Sequence, residues 1–452
     1  MKKILQMCLL FLGLVPAVSS LAQEDTEAEL FTLEEAISYA TSNHTSVQKI
    51  KYDLEYSRAQ LKEYTAVGIP KVTAKLDYNY FIHLPTSLIP ASAFAPPGTP
   101  VDENEYIEAQ FGTRNQLTAD VTLSTLVFNT SYFIGLKASQ SLIELTRKQG
   151  NITIQELKYN VRNAYLTVLI AAENKEILEK NIENLKKTLR ETQDFYENGL
   201  VELLDVDRLK LSLANLEAEL GVVNRQVELA RNVLKFQMNY PLENPIELSD
   251  NLEKLMIIAD EEDLDGKIPF GSRPELAVLK QSKYLNELNL KRYKMNYVPS
   301  LSAFISHQQT LQRNNLFDGK APGFFPTTVL GFSLNIPIFD GLDSKAKVEM
   351  TEIDIKRINL QMTEFKNGMS SQVYNARTNY RNAQERFDNQ KKSLDLAERI
   401  LNTTKIKYNE GVGSSLELVQ AERDLYTTQA NYINALYDFV VAKTSLDQAL
   451  GK

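Results

Sequence analysis

The sequence predicts an α+β membrane protein, built from long coiled-coil helices and four amphipathic β-strands. Three observations carry that prediction. Two long tracts free of proline hold a 3-4 apolar spacing, four segments alternate apolar and polar residues, and the whole pattern occurs once in each half of the chain.

At the N-terminus, Lys2 and Lys3 precede an apolar run from Ile4 to Val18, and Ser20-Leu21-Ala22 places small residues before a cleavage site. Residues 1–22 therefore read as a secretory signal, with the mature chain starting near Gln23. The run is shorter than the roughly 20 residues a spanning helix needs. Cys8 is the only cysteine and lies inside this run. The mature chain is thus expected to hold no disulfide, no thiolate metal site and no lipid-bearing cysteine at its start. Loss of Lys2 and Lys3 takes the formal net charge from −8 to −10. An acidic chain is a poor partner for nucleic acid, which attracts basic surfaces. No later stretch is apolar enough for a membrane helix, so a β-barrel is the remaining way to cross a bilayer.

Of 15 prolines, none falls between Pro100 and Pro241 or after Pro337. Proline breaks helices, so these tracts predict long uninterrupted ones. Residues 131–198 as a single helix would reach on the order of 100 Å at about 1.5 Å per residue. Starting in that helix, the seam runs Ile154, Leu157, Val161, Ala164, Val168, Ala171, Lys175, Leu178, Ile182, Leu185, Leu189, Thr192, Tyr196 and Gly199, apolar except at Lys175, Thr192 and Gly199. A second seam runs Val206, Leu209, Leu213, Leu216, Leu220, Val223, Val227, Ala230, Leu234 and Gln237, apolar except at Gln237. A third runs Leu418, Ala421, Leu425, Thr428, Tyr432, Ala435, Phe439, Ala442, Leu446 and Ala449, apolar except at Thr428. This is the coiled-coil period, which buries one narrow stripe against a partner helix. A helix of an ordinary core shows a wider stripe and ends sooner.

The first strand alternates Val72, Ala74, Leu76, Tyr78, Tyr80 and Ile82 against Thr73, Lys75, Asp77 and Asn79. The second sets Leu117, Ala119, Val121 and Leu123 against Gln116, Thr118, Asp120, Thr122 and Ser124. A third, Leu301-Ala303-Ile305, is expected to be short. The fourth sets Leu330, Phe332, Leu334, Ile336 and Ile338 against Gly331, Ser333 and Asn335. Such strands suit a membrane barrel, and equally a half-buried soluble sheet. Four strands do not close a barrel, so the barrel reading requires several copies of the chain. Tyr78, Tyr80 and Phe81 read either as an interfacial aromatic band or as core packing. Pro85, Pro90, Pro96, Pro97 and Pro100 predict a long exposed loop between the first two strands. Asn314 to Gly319, with Pro322 and Pro326, predicts its counterpart in the second half.

The halves correspond residue by residue. Val47, Ile50, Leu61, Tyr64, Ile69 and Pro70 recur as Leu276, Leu279, Leu290, Tyr293, Val298 and Pro299 at one fixed offset. Tyr196, Gly199, Leu204, Asp205 and Val206 recur as Tyr408, Gly411, Leu416, Glu417 and Leu418. The predicted organisation is a first repeat over 23–241, an irregular linker over 242–271 and a second repeat over 272–452. Each repeat reads helix, strand, loop, strand, long helix, tight turn, shorter helix.

Several short motifs now stand in order: Phe31-Thr32-Leu33-Glu34-Glu35-Ala36, Arg273-Pro274-Glu275-Leu276, Pro337-Ile338-Phe339-Asp340-Gly341, and the paired turns Tyr196-Glu197-Asn198-Gly199 and Tyr408-Asn409-Glu410-Gly411. Each is weak alone, but in this order and in duplicate the chain resembles the TolC-type outer-membrane efflux family over nearly all its mature length. The resemblance implies a homotrimer in outer-membrane lipid, with each protomer giving four strands to a shared twelve-stranded barrel. It implies a helical tunnel in the periplasm and an equatorial belt formed by the linker and the chain end. It also implies an exit duct for an efflux pump or type I secretion system, served by a periplasmic membrane-fusion adaptor and an inner-membrane pump.

The resemblance also assigns roles at the helix tips. Tyr196, Gly199, Leu200, Tyr408, Gly411, Val412 and Gly413 fall at the adaptor-docking turns. Glycine is also what any tight helix-to-helix turn needs at positive φ, which gives Gly199 and Gly411 a purely structural reading. Glu417 matches the first acidic position of the family's periplasmic constriction, Gln420 stands where a second acid is expected, and Asp205 is the first-half counterpart of Glu417, with Asp207 close by. Three-fold symmetry would turn each carboxylate into a ring that favours cations. The competing reading is of solvated helix acids. Gly413 replaces the basic residue that the family often uses as a latch.

No enzyme and no cofactor are expected. His44, His83 and His307 are scattered, and no Gly-x-Ser-x-Gly elbow occurs. The alternative function is a periplasmic coiled-coil adaptor or scaffold, which explains the heptads and the signal but leaves the duplicated strand-loop-strand unexplained. A general diffusion porin would need many short strands in series, which these helices exclude.

Overall fold

The computed structural model describes residues 29–255, 259–317 and 323–452, apart from 95, 97, 99–101, 103 and 105. The predicted signal at 1–22 with Cys8, and Pro97, Pro100, Asp318, Gly319 and Pro322 of the two loops, lie outside the described residues.

In chain order the elements are β1 (Glu29–Phe31), α1 (Leu33–Asn43), α2 (Thr45–Ala66), β2 (Lys71–Tyr80), β3 (Thr86–Pro90), β4 (Tyr106–Gln110), β5 (Asn115–Phe128), α3 (Thr130–Glu197) and α4 (Leu203–Met238). There follow β6 (Ile246–Leu248), α5 (Leu252–Leu255), α6 (Glu261–Asp265), α7 (Pro274–Lys294), β7 (Ser300–Arg313), β8 (Phe325–Asn335), α8 (Asp343–Asn409) and α9 (Ser415–Leu450). Helices α3 and α8 hold 68 and 67 residues, and α4 and α9 hold 36 each. Among the described residues no helix is long and apolar enough to cross a membrane.

The chain forms two compact units that do not follow the sequence halves. The first takes the chain up to His44 with Asn160–Ile257 and Arg386–Val441. The second takes Thr45–Tyr159, Ile258–Glu385 and Ala442–Lys452.

In the first unit the coiled-coil seams are buried. On α4, Val206, Leu209, Val223, Val227, Ala230 and Leu234 are buried, with the predicted Leu213, Leu216 and Leu220 half-covered. On α9, Leu418, Ala421, Leu425, Ala435 and Phe439 are buried in the same unit. Each large aliphatic side chain sealed in this way contributes about 1.5–3 kcal/mol. At the other end of this unit α1 opens with a capping box. The Thr32 N–H donates to Glu35 Oε2 at 2.8 Å, and the Glu35 N–H donates to Thr32 Oγ1 at 3.2 Å. Strand β1 pairs in parallel with β6, so the predicted linker is not wholly irregular. Asp250 accepts from the Leu33 N–H at 2.9 Å and from the buried Tyr165 hydroxyl at 3.0 Å. Burial, reinforced by this carboxylate, pushes the Tyr165 phenol well up from its ordinary range.

The second unit holds a four-stranded antiparallel sheet in the order β2-β5-β7-β8. Its register puts the alternating apolar positions of all four strands on one face. Val72 faces Leu123, Leu123 faces Ile305, and Ile305 faces Leu330. Val72, Leu76, Leu330 and Phe332 on that face are exposed. The other face is polar. There Lys75 stands opposite Asp120, and Asp120 accepts hydrogen bonds from Ser306 Oγ at 2.5 Å and Thr122 Oγ1 at 2.8 Å.

Three expectations are corrected here. The third strand is not short: β7 runs 14 residues. Its alternation is hidden because His307 and Gln309 sit at apolar-face positions, where His307 Nδ1 bonds Thr328 Oγ1 at 2.8 Å and Gln309 Nε2 bonds His307 Nε2 at 3.1 Å. The fourth strand stops at Asn335 rather than reaching Ile338, since Pro337 has no N–H to donate to a ladder. The segment between β2 and β5 is not all loop. It contains the hairpin β3–β4, in which Ile89 faces Ile107 and Pro90 ends the first strand.

Candidate functional site

The two interhelical turns of the first unit are built alike. In the first, the Leu200 N–H donates to the Phe195 carbonyl at 2.9 Å and the Gly199 N–H to the Tyr196 carbonyl at 2.9 Å. In the second, the Val412 N–H donates to the Lys407 carbonyl and the Gly411 N–H to the Tyr408 carbonyl, both at 3.0 Å. This is the Schellman closure, which needs a left-handed residue at its pivot. Gly199 at φ 75° and Gly411 at φ 73° supply it. Gly413 is present for a different reason. A Cβ there would lie 3.0 Å from the Tyr408 backbone nitrogen, so a larger latch residue would crowd the turn.

The residue after each pivot is apolar and open to solvent: Leu200 is 72% exposed and Val412 78%. The two tyrosines that the sequence treats as equivalent differ. Tyr408 is 6% exposed, packs its ring 6.5 Å from that of Phe195 and bonds Thr192 Oγ1 at 3.2 Å, whereas Tyr196 is 37% exposed. Burial pushes the Tyr408 phenol up from its ordinary value.

The acidic positions also divide. Asp205 is half-buried in the first turn of α4, where it accepts from the Glu202 N–H at 3.2 Å and from the Ser415 hydroxyl. Arg208 lies 3.7 Å from Asp205 and donates to Ser415 Oγ at 3.4 Å. Asp205, Arg208 and Ser415 therefore form one cluster joining α4 to α9. Asp207 and Glu417 are exposed and outside it, although the Glu417 N–H is capped by Ser414 Oγ at 3.2 Å. Gln420 is exposed and donates to Asp424 at 2.8 Å. Sequence reasoning missed Arg208 and Ser415. The Asp205–Arg208 spacing on one helix face was the available signal for the first, and nothing marked the second. It also missed Glu422, a carboxyl 5% exposed on α9, which burial raises to about 7 against the opposing pull of Lys405. Among the described residues no group of His, Cys, Asp and Glu side chains could hold a metal ion.

The sequence model of the outer membrane efflux protein family matches residues 273–452. Outer membrane protein TolC of Vibrio cholerae is 18% identical over 337 residues, covering 74% of this chain and 76% of the relative. Residues 273–452 thus match the outer membrane efflux protein family, and the chain as a whole is similar to TolC-type outer-membrane proteins. That match and this relative support an outer-membrane location and the coarse role of an exit duct. Nodulation protein T of Rhizobium leguminosarum is 19% identical over 351 residues, 76% of this chain and 73% of the relative. Among solved structures, the outer membrane protein VceC of Vibrio cholerae superposes with a TM-score of 0.69 at 16% identity, over 93% of this chain and 96% of that one. The open state of the MtrE outer membrane channel of Neisseria gonorrhoeae gives 0.70 at 16% identity, over 93% and 88%. These likenesses show the TolC-like fold, a mostly helical chain carrying a small number of strands.

Proposed function

We propose that three copies of this chain join their sheets into a twelve-stranded barrel and act as the exit duct of a tripartite efflux pump or a type I secretion system. The observation that carries this reading is the four-stranded sheet itself. One face is apolar and exposed, and its outer strands β2 and β8 each have one side without a strand partner among the described residues. In hydrocarbon such edges must be paired, and pairing β8 of one copy with β2 of the next closes a ring without edges. The polar face, with Lys75, Asp120 and Ser306, then lines an aqueous lumen. The matching lengths of α3 with α8 and α4 with α9, and the two like turns at Gly199 and Gly411, support a duplicated architecture with repeats over 23–241 and 272–452 around the 242–271 linker.

In this reading the exposed Leu200 and Val412 are the knobs on which a periplasmic membrane-fusion adaptor docks, with an inner-membrane pump choosing the cargo. Glu417, with Asp207, Gln420 and the tethered Asp205, lies at the periplasmic constriction. The coiled-coil scaffold alternative is disfavoured because it has no use for an amphipathic sheet. The deciding measurement is the native mass of protein extracted from outer membranes in mild detergent. A trimer is expected. A monomer that stays soluble without detergent would overturn the reading.

A further inference from the structure

Between the ends of α2 and α7 and the starts of α3 and α8, the second unit has an open pocket of about 390 Å³. Arg292, Tyr293, Asn129, Ser131 and Lys347 line it, under Leu126 of β5. We propose that this pocket binds a phosphate group, with Arg292 as its anchor.

Arg292 differs in its pairing from two nearby lysines. Lys294, two residues on, is paired with Glu352 at 3.0 Å, and Lys347 is paired with Asp343 at 2.6 Å. Arg292 has no carboxylate within ion-pair distance among the described residues. Its guanidinium is nonetheless held in place. It lies 5.0 Å from the centre of the Tyr293 ring, and Nη2 donates to the Tyr293 hydroxyl at 3.2 Å. A half-buried, oriented guanidinium with one donor spent has the remainder of its fork free, and that fork matches two phosphate oxygens.

Other donors converge on the same space. Asn129 spends its Oδ1 on the Tyr132 N–H at 2.9 Å, which leaves its Nδ2 protons for a ligand. Ser131 brings a hydroxyl, and Lys347 keeps two ammonium protons beyond the one given to Asp343. The first turn of α3 adds its positive end to the same wall. Asp343 tempers the charge of Lys347, which is why the anchor is Arg292.

The surroundings bear on the source of the phosphate. Ile69, Phe128, Phe133 and Leu342 are exposed apolar residues beside the helix and strand ends that frame the pocket. If the sheet crosses the outer membrane as proposed above, the pocket lies at the level of headgroups. A phospholipid headgroup and a free phosphate share the chemistry that Arg292 reads, and the membrane source rests on that reading.

The test uses the full chain in detergent, delipidated and titrated separately with phosphatidylglycerol, phosphatidylcholine and inorganic phosphate, followed by native mass spectrometry and phosphorus NMR. Arg292→Gln is compared with Lys294→Gln, a loss of charge at the same level from an existing ion pair. Thermal melts establish that both variants fold, and Arg292→Lys replaces Arg292→Gln if that variant does not. The expected result is that Arg292→Gln weakens phosphate-group binding by roughly tenfold, the scale of a charge-assisted hydrogen bond, while Lys294→Gln leaves it unchanged. Loss restricted to the lipids assigns a headgroup, and loss with inorganic phosphate as well assigns a free phosphate. Equal binding by wild type and Arg292→Gln, or equal loss in both variants, would overturn the site. The same spectra count subunits, so failure of the trimer reading would register separately.

Discussion

Ser415, the first residue of α9, donates its hydroxyl proton to the carboxylate of Asp205 in the first turn of α4. The bond ties the two interhelical turns together at their tips. Ser415→Ala removes this tie while leaving Asp205 with Arg208 at 3.7 Å and with the Glu202 N–H. A hydrogen bond to a charged group contributes about 1.5–3 kcal/mol. If the tips close the duct, the variant should show a larger single-channel conductance in planar bilayers and faster proteolysis at the turns. Wild-type conductance would show that this tie has no part in closure.

Glu422 gives the same region a pH dependence. Its ordinary value of 4.5 holds in the unfolded chain, and in the fold burial raises it to about 7. The folded state therefore holds a proton that the unfolded state has lost, and stability falls as pH rises from 4.5 through 7. The full change is about 3 kcal/mol, at about 1.4 kcal/mol per unit. Glu422→Gln keeps the shape without the charge. It should melt at a higher temperature than wild type at pH 8 and at nearly the same temperature at pH 4. Melting curves that stay parallel across this range would refute the assignment.

The apolar knobs are tested by charge. Leu200 and Val412 are exposed, so Leu200→Asp with Val412→Asp should alter stability by no more than about 0.5 kcal/mol. The double variant should keep the native mass of the wild type and lose capture of a membrane-fusion adaptor. Retained capture would move docking away from the turns.

How far the sequence could be read depended on whether the physical signal was local. The long helix predicted over 131–198 is Thr130–Glu197, because a proline-free 3-4 pattern states its own period. The apolar faces of β2 and β5 were legible by alternation, and the register confirms that their apolar positions share a face. Strand β7 was half-hidden because His307 and Gln309 occupy its apolar face, and their partner Thr328 is on another strand. The tips were legible as turns but not as contacts. Tyr196 and Tyr408 are equivalent along the chain, yet only Tyr408 meets Thr192, a partner contributed by α3. The Asp205–Ser415 bond likewise joins residues whose proximity depends on the fold.

The face assignment of the sheet has a direct consequence. Phe332 stands opposite Ala303 on the apolar face, and its neighbour Ser333 stands opposite Ser302 on the polar face. An arginine facing lipid costs about 2–4 kcal/mol near the bilayer centre, whereas the lumen tolerates it. Phe332→Arg should therefore sharply reduce the heat-resistant trimer recovered from outer membranes, and Ser333→Arg should leave recovery near wild type. The reverse ranking would invert the sheet.

Glu417 offers the sharpest test of the constriction because, unlike Asp205, it is exposed and outside the Arg208–Ser415 cluster. A carboxylate already sharing an arginine adds little field of its own, while three free ones around a narrow axis add theirs together. Glu417→Ala alone should therefore lower cation selectivity and weaken block by divalent ions in bilayer recordings. Adding Asp205→Ala should change conductance, through the lost tie to Ser415, more than selectivity. If Glu417→Ala leaves both selectivity and divalent block intact, the selective ring lies elsewhere in the duct, and Glu417 is a solvated helix acid.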